Sequence, residues 1–159
     1  MSVLSEAKLE LRSLVPAFHL MSSDGLCINV WDFKGKQNLL LVFVHGNGCS
    51  KCVDFLEQIA GSYADYEDDE TVVLAIVRGG QEAAAGICAQ FCSPFPILYD
   101  STGSITDSYT NTLPAVFAAD RYGELRAQWM IGPDEIFPSQ TDILDVVELA
   151  NLECPECGT

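Results

Sequence analysis

A six-residue apolar segment, Leu39–Val44, ends in a glycine-containing turn and is followed by the cysteine pair Cys49-Ser-Lys-Cys52. An amphipathic stretch from Val53 to Tyr63 comes next, so the pair lies where a buried strand passes into the first turn of a helix. A helix N-terminus carries unpaired N–H groups and partial positive charge, and both stabilise a thiolate. Two cysteines three positions apart can also form a disulfide, so this segment predicts thiol–disulfide chemistry at the end of a central strand.

The composition is that of one globular domain, because 48% of the 159 residues are hydrophobic and 19% are charged. We assign this domain to residues 1–152 and a tail to 153–159. The net charge of −15 argues against binding to nucleic acid and to anionic membranes. The first ten residues show neither a basic segment nor an apolar core of a signal peptide, so we expect a cytoplasmic protein.

The chain contains seven cysteines, an odd number. Without an export signal, this count favours redox or metal chemistry over a framework of structural disulfides.

Strands and helices alternate along the sequence, which predicts a mixed sheet covered by helices on both faces. An N-terminal hairpin comes first, and the acidic segment Asp65–Glu70 is expected to be a solvated connection. Residues 1–13 have the apolar spacing of a short helix. The predicted strands are 16–21, 26–30, 39–45, 71–77, 96–99, 114–119 and 124–130, and the predicted helices are 53–63, 81–91, 104–109 and one that begins at 139.

Three segments in this order resemble a known family. They are the buried strand with its cysteine pair, residues 91–100 (Phe-Cys-Ser-Pro-Phe-Pro-Ile-Leu-Tyr-Asp) and residues 113–124 (Leu-Pro-Ala-Val-Phe-Ala-Ala-Asp-Arg-Tyr-Gly-Glu). Over roughly residues 14–152 the chain resembles the AhpC/TSA peroxiredoxin-like, or redoxin, branch of the thioredoxin superfamily. The resemblance implies an α/β, thioredoxin-like fold, with a central mixed β-sheet flanked by helices and an N-terminal β-hairpin extension.

The resemblance also implies roles for individual residues. Cys49 would be the attacking cysteine and Cys52 its resolving partner, and Pro114, preceded by Leu113, falls where the family has a cis-proline beside the active site. Two further candidates come from the local sequence: Gly48 fits the sharp turn, and Lys51 either stabilises the thiolate or is simply exposed to solvent.

One departure from the peroxiredoxin pattern affects the function. Peroxiredoxins carry Thr or Ser three residues before the attacking cysteine, whereas Gly46 occupies that position here. Thiol–disulfide exchange through Cys49 and Cys52 is therefore the leading hypothesis. The first alternative is a thiol peroxidase, in which a Cys49 sulfenic acid is resolved by Cys52, Cys92, Cys154 or Cys157. The second is a non-catalytic redoxin-like module whose cysteines hold zinc.

The remaining cysteines have several interpretations. Cys88 and Cys92 have the i, i+4 spacing of one helix face, which favours small core residues, although a helix cysteine resolves the intermediate in some atypical peroxiredoxins. Cys27 is interpreted as strand packing. For the tail pair, Cys154 and Cys157, half a zinc site, a resolving role and no role at all remain open.

The partners follow from these hypotheses. We expect a disulfide or hydroperoxide substrate, a thiol reductant such as a thioredoxin system, no cofactor, and a chain that could form a homodimer. His45 is expected to be a solvated strand end, and Arg121 and Arg126 are expected to be surface residues.

Overall fold

The computed structural model describes residues 8–46, 50–132 and 136–153. Within these ranges the strands are β1 (His19–Ser22), β2 (Cys27–Asn29), β3 (Asn38–His45), β4 (Thr71–Arg78), β5 (Ile97–Asp100), β6 (Ala115–Ala119) and β7 (Leu125–Met130). The helices are α1 (Ser50–Gly61), α2 (Tyr63–Asp68), α3 (Gln81–Cys88), α4 (Ser104–Tyr109) and α5 (Gln140–Leu152). No helix among the described residues has the length and apolar character needed to cross a bilayer.

All seven strands form one sheet in the order β2-β1-β5-β4-β3-β6-β7. The three central strands are parallel, because helical connections return the chain from the end of β3 to the start of β4 and from β4 to β5. The outer strands on both sides are antiparallel. The predicted mixed sheet and N-terminal hairpin are thus confirmed, as is the thioredoxin-like fold.

The uninterrupted apolar sequence of β3 reflects burial of the sheet on both faces. Leu40, Val42 and Val44 belong to a core cluster with α1, α3 and α5, whereas Leu39, Leu41 and Phe43 pack in a second cluster that includes Tyr109 of α4. Successive residues of a strand point to opposite faces, so both sets of β3 side chains must be apolar. Every residue from Asn38 to Val44 is buried, and His45 is the first exposed residue at the end of the strand.

The acidic segment is not merely a connection, and the prediction for Asp65–Glu70 was wrong in part. Residues Tyr63–Asp68 form α2, because Tyr66 is fully buried and its hydroxyl donates a hydrogen bond of 2.6 Å to Oε1 of Gln140. Burial, with a smaller contribution from Asp65, raises the pKa of the Tyr66 hydroxyl well above its ordinary value. Burial of Tyr66 therefore stabilises α2, although the acidic residues around it in the sequence indicate an exposed loop.

The helix that the apolar spacing of residues 1–13 suggested is absent from the described part, residues 8–13. This segment follows the edge of the sheet instead, where the Arg12 N–H donates to the carbonyl of Leu125 and Leu14 forms a bridge to Glu124. Residues 1–7 lie outside the described residues.

A buried ionic network closes the end of the sheet opposite to the end of β3. The Arg126 side chain is 9% exposed and its Nε donates to Oδ2 of Asp120 at 2.8 Å, while its Nη1 bonds Glu153. Burial alone would lower the pKa of Arg126, but its hydrogen bonds to Glu153 and Asp120 raise it. The prediction of a surface position for Arg126 was therefore wrong, and the residue fixes the C-terminus of α5 against β7.

Replacement of Asp120 by alanine tests this network. Asp120 also accepts the N–H groups of Tyr122 and Glu124, so its loss leaves a buried guanidinium and an unsupported turn. We expect Asp120→Ala to lower the free energy of unfolding by about 3–5 kcal/mol, measured by urea denaturation. The matched control is Glu57→Ala, an exposed acid on α1. Equal urea midpoints for the two variants would show that the network contributes no more to stability than an exposed acid does.

Candidate active site

The end of β3 leads to the start of α1, the helix that contains Cys52. His45 ends the strand, Gly46 follows it, and α1 begins at Ser50. Cys49 and Gly48 lie outside the described residues, but Cys49 directly precedes the first residue of α1 in the sequence. The first turn of α1 contains no acidic residue and carries the exposed Lys51, so the charges described there do not oppose a thiolate.

Cys52 is completely buried in the first turn of α1. It belongs to the core cluster that includes Phe55, Leu56 and Ile59 of the same helix. Cys52, Leu56 and Ile59 therefore lie on the inward face of α1. Because Cys52 is covered by protein, a bulky substrate approaching from solvent does not reach its sulfur directly.

Gly46 is placed where no side chain fits. A Cβ on this residue would overlap the backbone carbonyl oxygen of Arg78 on β4 and would lie 3.3 Å from its carbonyl carbon. The overlap is with backbone of a central strand, which cannot rotate away as a side chain does. The absence of the hydroxyl residue noted in the sequence thus has a structural cause.

The proline beside this edge has the predicted geometry. The Leu113–Pro114 peptide bond is cis, and Pro114 is buried directly before β6. Ala115 pairs with Phe43 on β3, so Pro114 lies level with the end of that strand. Its carbonyl accepts the N–H groups of Ile131 at 3.0 Å and Gly132 at 3.2 Å. The structure thus brings four candidate residues to the end of the sheet at which β3 ends. They are Lys51, Cys52, Leu113 and Pro114.

A surface cleft of about 380 Å³ adjoins this edge. It lies between the ends of β3 and β4 on one side and α4 with the following loop on the other. Its lining residues are His45, Arg78, Thr106, Asp107, Thr110, Asn111 and Leu113. Sequence reasoning identified His45 as an exposed strand end, which is confirmed, but it missed Arg78, the first residue after the apolar run of β4.

Cys88 and Cys92 lie away from this edge. Helix α3 begins beside Gly46 and its last residue is Cys88, about 10 Å further along the helix axis. Both cysteines are exposed, so the interpretation as core residues was wrong, and Cys27 is exposed as well. Sγ of Cys88 lies 3.1 Å from Oγ of Ser23 in the hairpin turn. A resolving role for Cys92 would require this end of α3 to move.

The tail cysteines, Cys154 and Cys157, lie outside the described residues, but their attachment point is described. Glu153 is bonded to Arg126 at the end of the sheet where β3 begins, and His45 is about 20 Å away along the strand. Cys157 follows Glu153 by four residues, which span at most about 14 Å. A resolving role for either tail cysteine stays a prediction.

The described residues contain no group of three or more His, Cys, Asp or Glu side chains that could hold a metal ion. A zinc site formed by Cys154 and Cys157 involves residues outside that part of the chain and stays a prediction.

The sequence of this chain is similar to those of known proteins. A family model described as the AhpC/TSA family matches residues 11–137. The thiol-disulfide oxidoreductase ResA of Bacillus thuringiensis subsp. konkukian (strain 97-27) is 26% identical over 122 residues, which cover 76% of this chain and 69% of the relative.

Solved structures are similar as well. A thiol:disulfide interchange protein from Chlorobium tepidum, assigned as DsbE, has a TM-score of 0.76 at 23% identity and covers 91% of this chain and 99% of its own. A protein from Bacteroides thetaiotaomicron assigned as a protein disulfide isomerase has a TM-score of 0.79 at 14% identity, with 96% and 97% covered. At these identities the two structures show the shared fold.

The close approach at Gly46 gives a testable stability effect. We expect Gly46→Ala to destabilise the protein by about 1–3 kcal/mol, because the backbone of β4 must shift to admit a methyl group. Gly61→Ala is the matched control, since nothing lies within 4 Å of the Cβ position there. Urea denaturation measures both variants, and a Gly46→Ala variant as stable as wild type would show that the turn has room for a side chain.

Proposed function

The chain belongs to the AhpC/TSA family, and we propose that it is a thiol–disulfide oxidoreductase that acts through Cys49 and Cys52. The observation that carries the proposal is the burial of Cys52. Cys52 has no exposed surface in the first turn of α1, and Cys49 directly precedes that helix in the sequence. Stepwise exchange begins at one cysteine of the pair, and a covered Cys52 leaves that step to Cys49.

The proposed reaction has two steps. The Cys49 thiolate attacks one sulfur of a substrate disulfide, which forms a mixed disulfide and releases the other substrate sulfur as a thiolate. Cys52, after losing its proton, then attacks the Cys49 sulfur. This forms the Cys49–Cys52 disulfide and releases the second substrate thiolate. Two electrons pass from the protein to the substrate, and an external dithiol reductant, such as a thioredoxin-type protein, restores the reduced pair.

Burial of Cys52 orders these steps. The substrate cannot attack or be attacked at a sulfur with no exposed surface, so the first bond forms at Cys49. Three residues along a helix start keep the second sulfur close to the first, and the intramolecular step gains from this proximity. Lys51 is exposed between them and supplies a positive charge near the thiolate.

The structural environment of Gly46 separates this function from peroxide reduction. A peroxidase of this family would need a hydroxyl group three residues before Cys49, and the Arg78 carbonyl occupies the space of any such side chain. Exchange with disulfides needs no such group. The peroxidase is therefore the second candidate. A homodimer and a cytoplasmic location stay predictions.

Cysteine variants test the exchange mechanism. With a disulfide-bonded model peptide, we expect Cys52→Ser to accumulate a stable mixed disulfide at Cys49 and Cys49→Ser to form none at Cys52, because Cys52 is buried; peptide mapping separates these adducts from any on the exposed Cys27, Cys88 and Cys92. Intact-protein mass spectrometry without reductant measures the adduct. Cys27→Ser is the control, since Cys27 is an exposed cysteine on an outer strand. A peptide adduct on Cys52 in the Cys49→Ser variant would reverse the roles. Stoichiometric zinc with no titratable thiol would favour the non-catalytic module.

Peroxide kinetics test the second candidate. We expect hydrogen peroxide to oxidise Cys49 with a rate constant below about 10⁴ M⁻¹s⁻¹, the lower end of the usual enzyme range. The reason is that Gly46 has no hydroxyl group to orient the peroxide. Competition against a calibrated peroxidase reports the rate constant. A rate constant well above that value would make peroxide reduction the primary activity.

A further inference from the structure

The cleft beside the cysteine pair contains an arginine held in one orientation. Arg78 ends β4 and pairs in register with His45 on one side and with Asp100 on the other. Its Nη1 donates to the carbonyl of Gly103 at 3.2 Å and to Oδ1 of Asp107 at 2.6 Å. Two partners on one nitrogen fix the plane of the guanidinium group.

Gly103 makes this orientation possible. A Cβ at Gly103 would lie 2.5 Å from Cζ of Arg78, so the guanidinium packs directly on the glycine backbone. Gly103 also has a φ of +79°, which favours glycine. The side chain is thus seated on backbone rather than extended into solvent.

Buried Asp100 fixes the helix that carries the other partner. Its Oδ2 accepts both the N–H and the hydroxyl of Thr106, each at 2.7 Å, and Asp100 is only 2% exposed. Thr106 directly precedes Asp107, so the carboxylate that holds Arg78 is itself attached to the sheet. The arrangement is a positioned cation rather than a mobile surface arginine.

One edge of the guanidinium remains available. Among the described residues only Nη1 of Arg78 has a hydrogen-bond partner, which leaves Nε and Nη2. These two nitrogens form a planar fork that matches the two oxygens of a carboxylate. The Arg78 side chain is 41% exposed, and the cleft that it lines also contains the exposed His45 and Leu113, the residue before the cis-proline.

The distance to the cysteine pair is short. Gly46 follows His45 directly, and three residues span at most about 11 Å between Gly46 and Cys49. Residues that neighbour the cysteine of a polypeptide bonded to Cys49 are therefore within reach of this cleft.

One acidic groove of the protein lies far from this cleft. A cluster of carboxylates, Asp65, Asp68, Asp69, Asp145 and Glu148, lines a groove between α2 and α5, and burial together with Glu148, Asp68 and Asp65 raises the pKa of Asp69. This groove lies at the end of the sheet where β4 begins, about 23 Å along the strand from Arg78. The screening length at physiological ionic strength is about 8 Å, so the repulsion is largely lost at the cleft.

We propose that the cleft formed by Arg78, His45 and Asp107 is a substrate-selection site that takes a carboxylate close to the reactive cysteine of a disulfide-bonded polypeptide. This inference rests on the proposed exchange function. The carboxylate binds the Nε–Nη2 edge of Arg78, and an imidazole N–H of His45 can donate a further hydrogen bond. Asp107 competes for the same charge, so it limits the strength of the preference.

Two peptide disulfides test the proposal. Each is a symmetric dimer of a short peptide with one cysteine, and the two differ only by Asp or Asn one or two residues from that cysteine. The second-order rate constant for their reduction by the reduced full-length protein is measured by acid quench and mass spectrometry. We expect wild type to reduce the Asp peptide about 3- to 10-fold faster at low salt, as fits a partly exposed ion pair, with the ratio falling as salt is added.

Four variants distinguish a role of Arg78 in selecting the substrate from a role in supporting the fold. Arg78→Gln should bring the ratio of the two rate constants close to one, chiefly by lowering the rate constant of the Asp peptide, and Arg78→Lys should restore only part of the preference. Asp107→Asn should increase the preference, because it releases the guanidinium from its competitor. The control is Arg121→Gln, an arginine paired with Glu70 at the opposite end of the sheet, which should leave the ratio unchanged.

Each outcome has a distinct meaning. Failure of wild type to reduce either peptide would refute the exchange function itself. Equal reduction of both peptides by wild type would refute the selection site and leave the exchange function intact. Equal loss of both rates in Arg78→Gln, with Asp107→Asn behaving in the same way, would show that Arg78 only supports the fold.

Discussion

The contact between Gly46 and the Arg78 carbonyl is the constraint on which the functional end of this protein depends. β3 and β4 pair over their full length, from Asn38 with Thr71 to His45 with Arg78. Both strands therefore end at the same level, and the chain leaving β3 must pass directly over the backbone of β4. Only a residue without a side chain can make that passage. The turn to Cys49 and the start of α1 follow from this single close approach.

Much of this architecture was predictable because it depends on periodicity. A strand that is apolar at every position indicates burial on both faces, and the chemistry at its end follows from the cysteine pair and the helix after it. The cis-proline was predicted from resemblance, not from local sequence. The elements that were missed depend on single tertiary contacts. Tyr66 makes a helix of an acidic segment, and Leu14 and Arg12 hold the leading segment along the sheet edge.

Residue positions were less predictable than elements. Spacing of i, i+4 placed Cys88 and Cys92 on one face, but α3 ends at Cys88, so the helical argument did not extend to Cys92. Arg126 was predicted to be a surface residue because its partner, Asp120, lies on the other side of the β6–β7 hairpin, and the sequence does not show that the two side chains meet. Arg78 directly follows the predicted strand 71–77, so the sequence places it at a strand end, and its position beside His45 would be a further inference. That inference needs the register of β3 against β4, which periodicity alone does not define.

The two ends of the sheet have different roles. At the end where β3 begins, Arg126 pairs with Glu153, the last described residue, and Asn38 bonds Asn151, so both contacts fix α5. These contacts are independent of the chemistry and hold the chain together.

Arg78 connects the type of reaction to the choice of substrate. Its backbone carbonyl excludes a side chain at Gly46, and with it the hydroxyl group that peroxide reduction would need three residues before Cys49. Its side chain, turned to the other side of the strand end and held by Gly103 and Asp107, forms the wall of the cleft. Both effects require β4 to end level with β3. A shift of β4 by one residue would place another side chain in the cleft and another carbonyl beside Gly46, so the register of one parallel strand pair determines both properties.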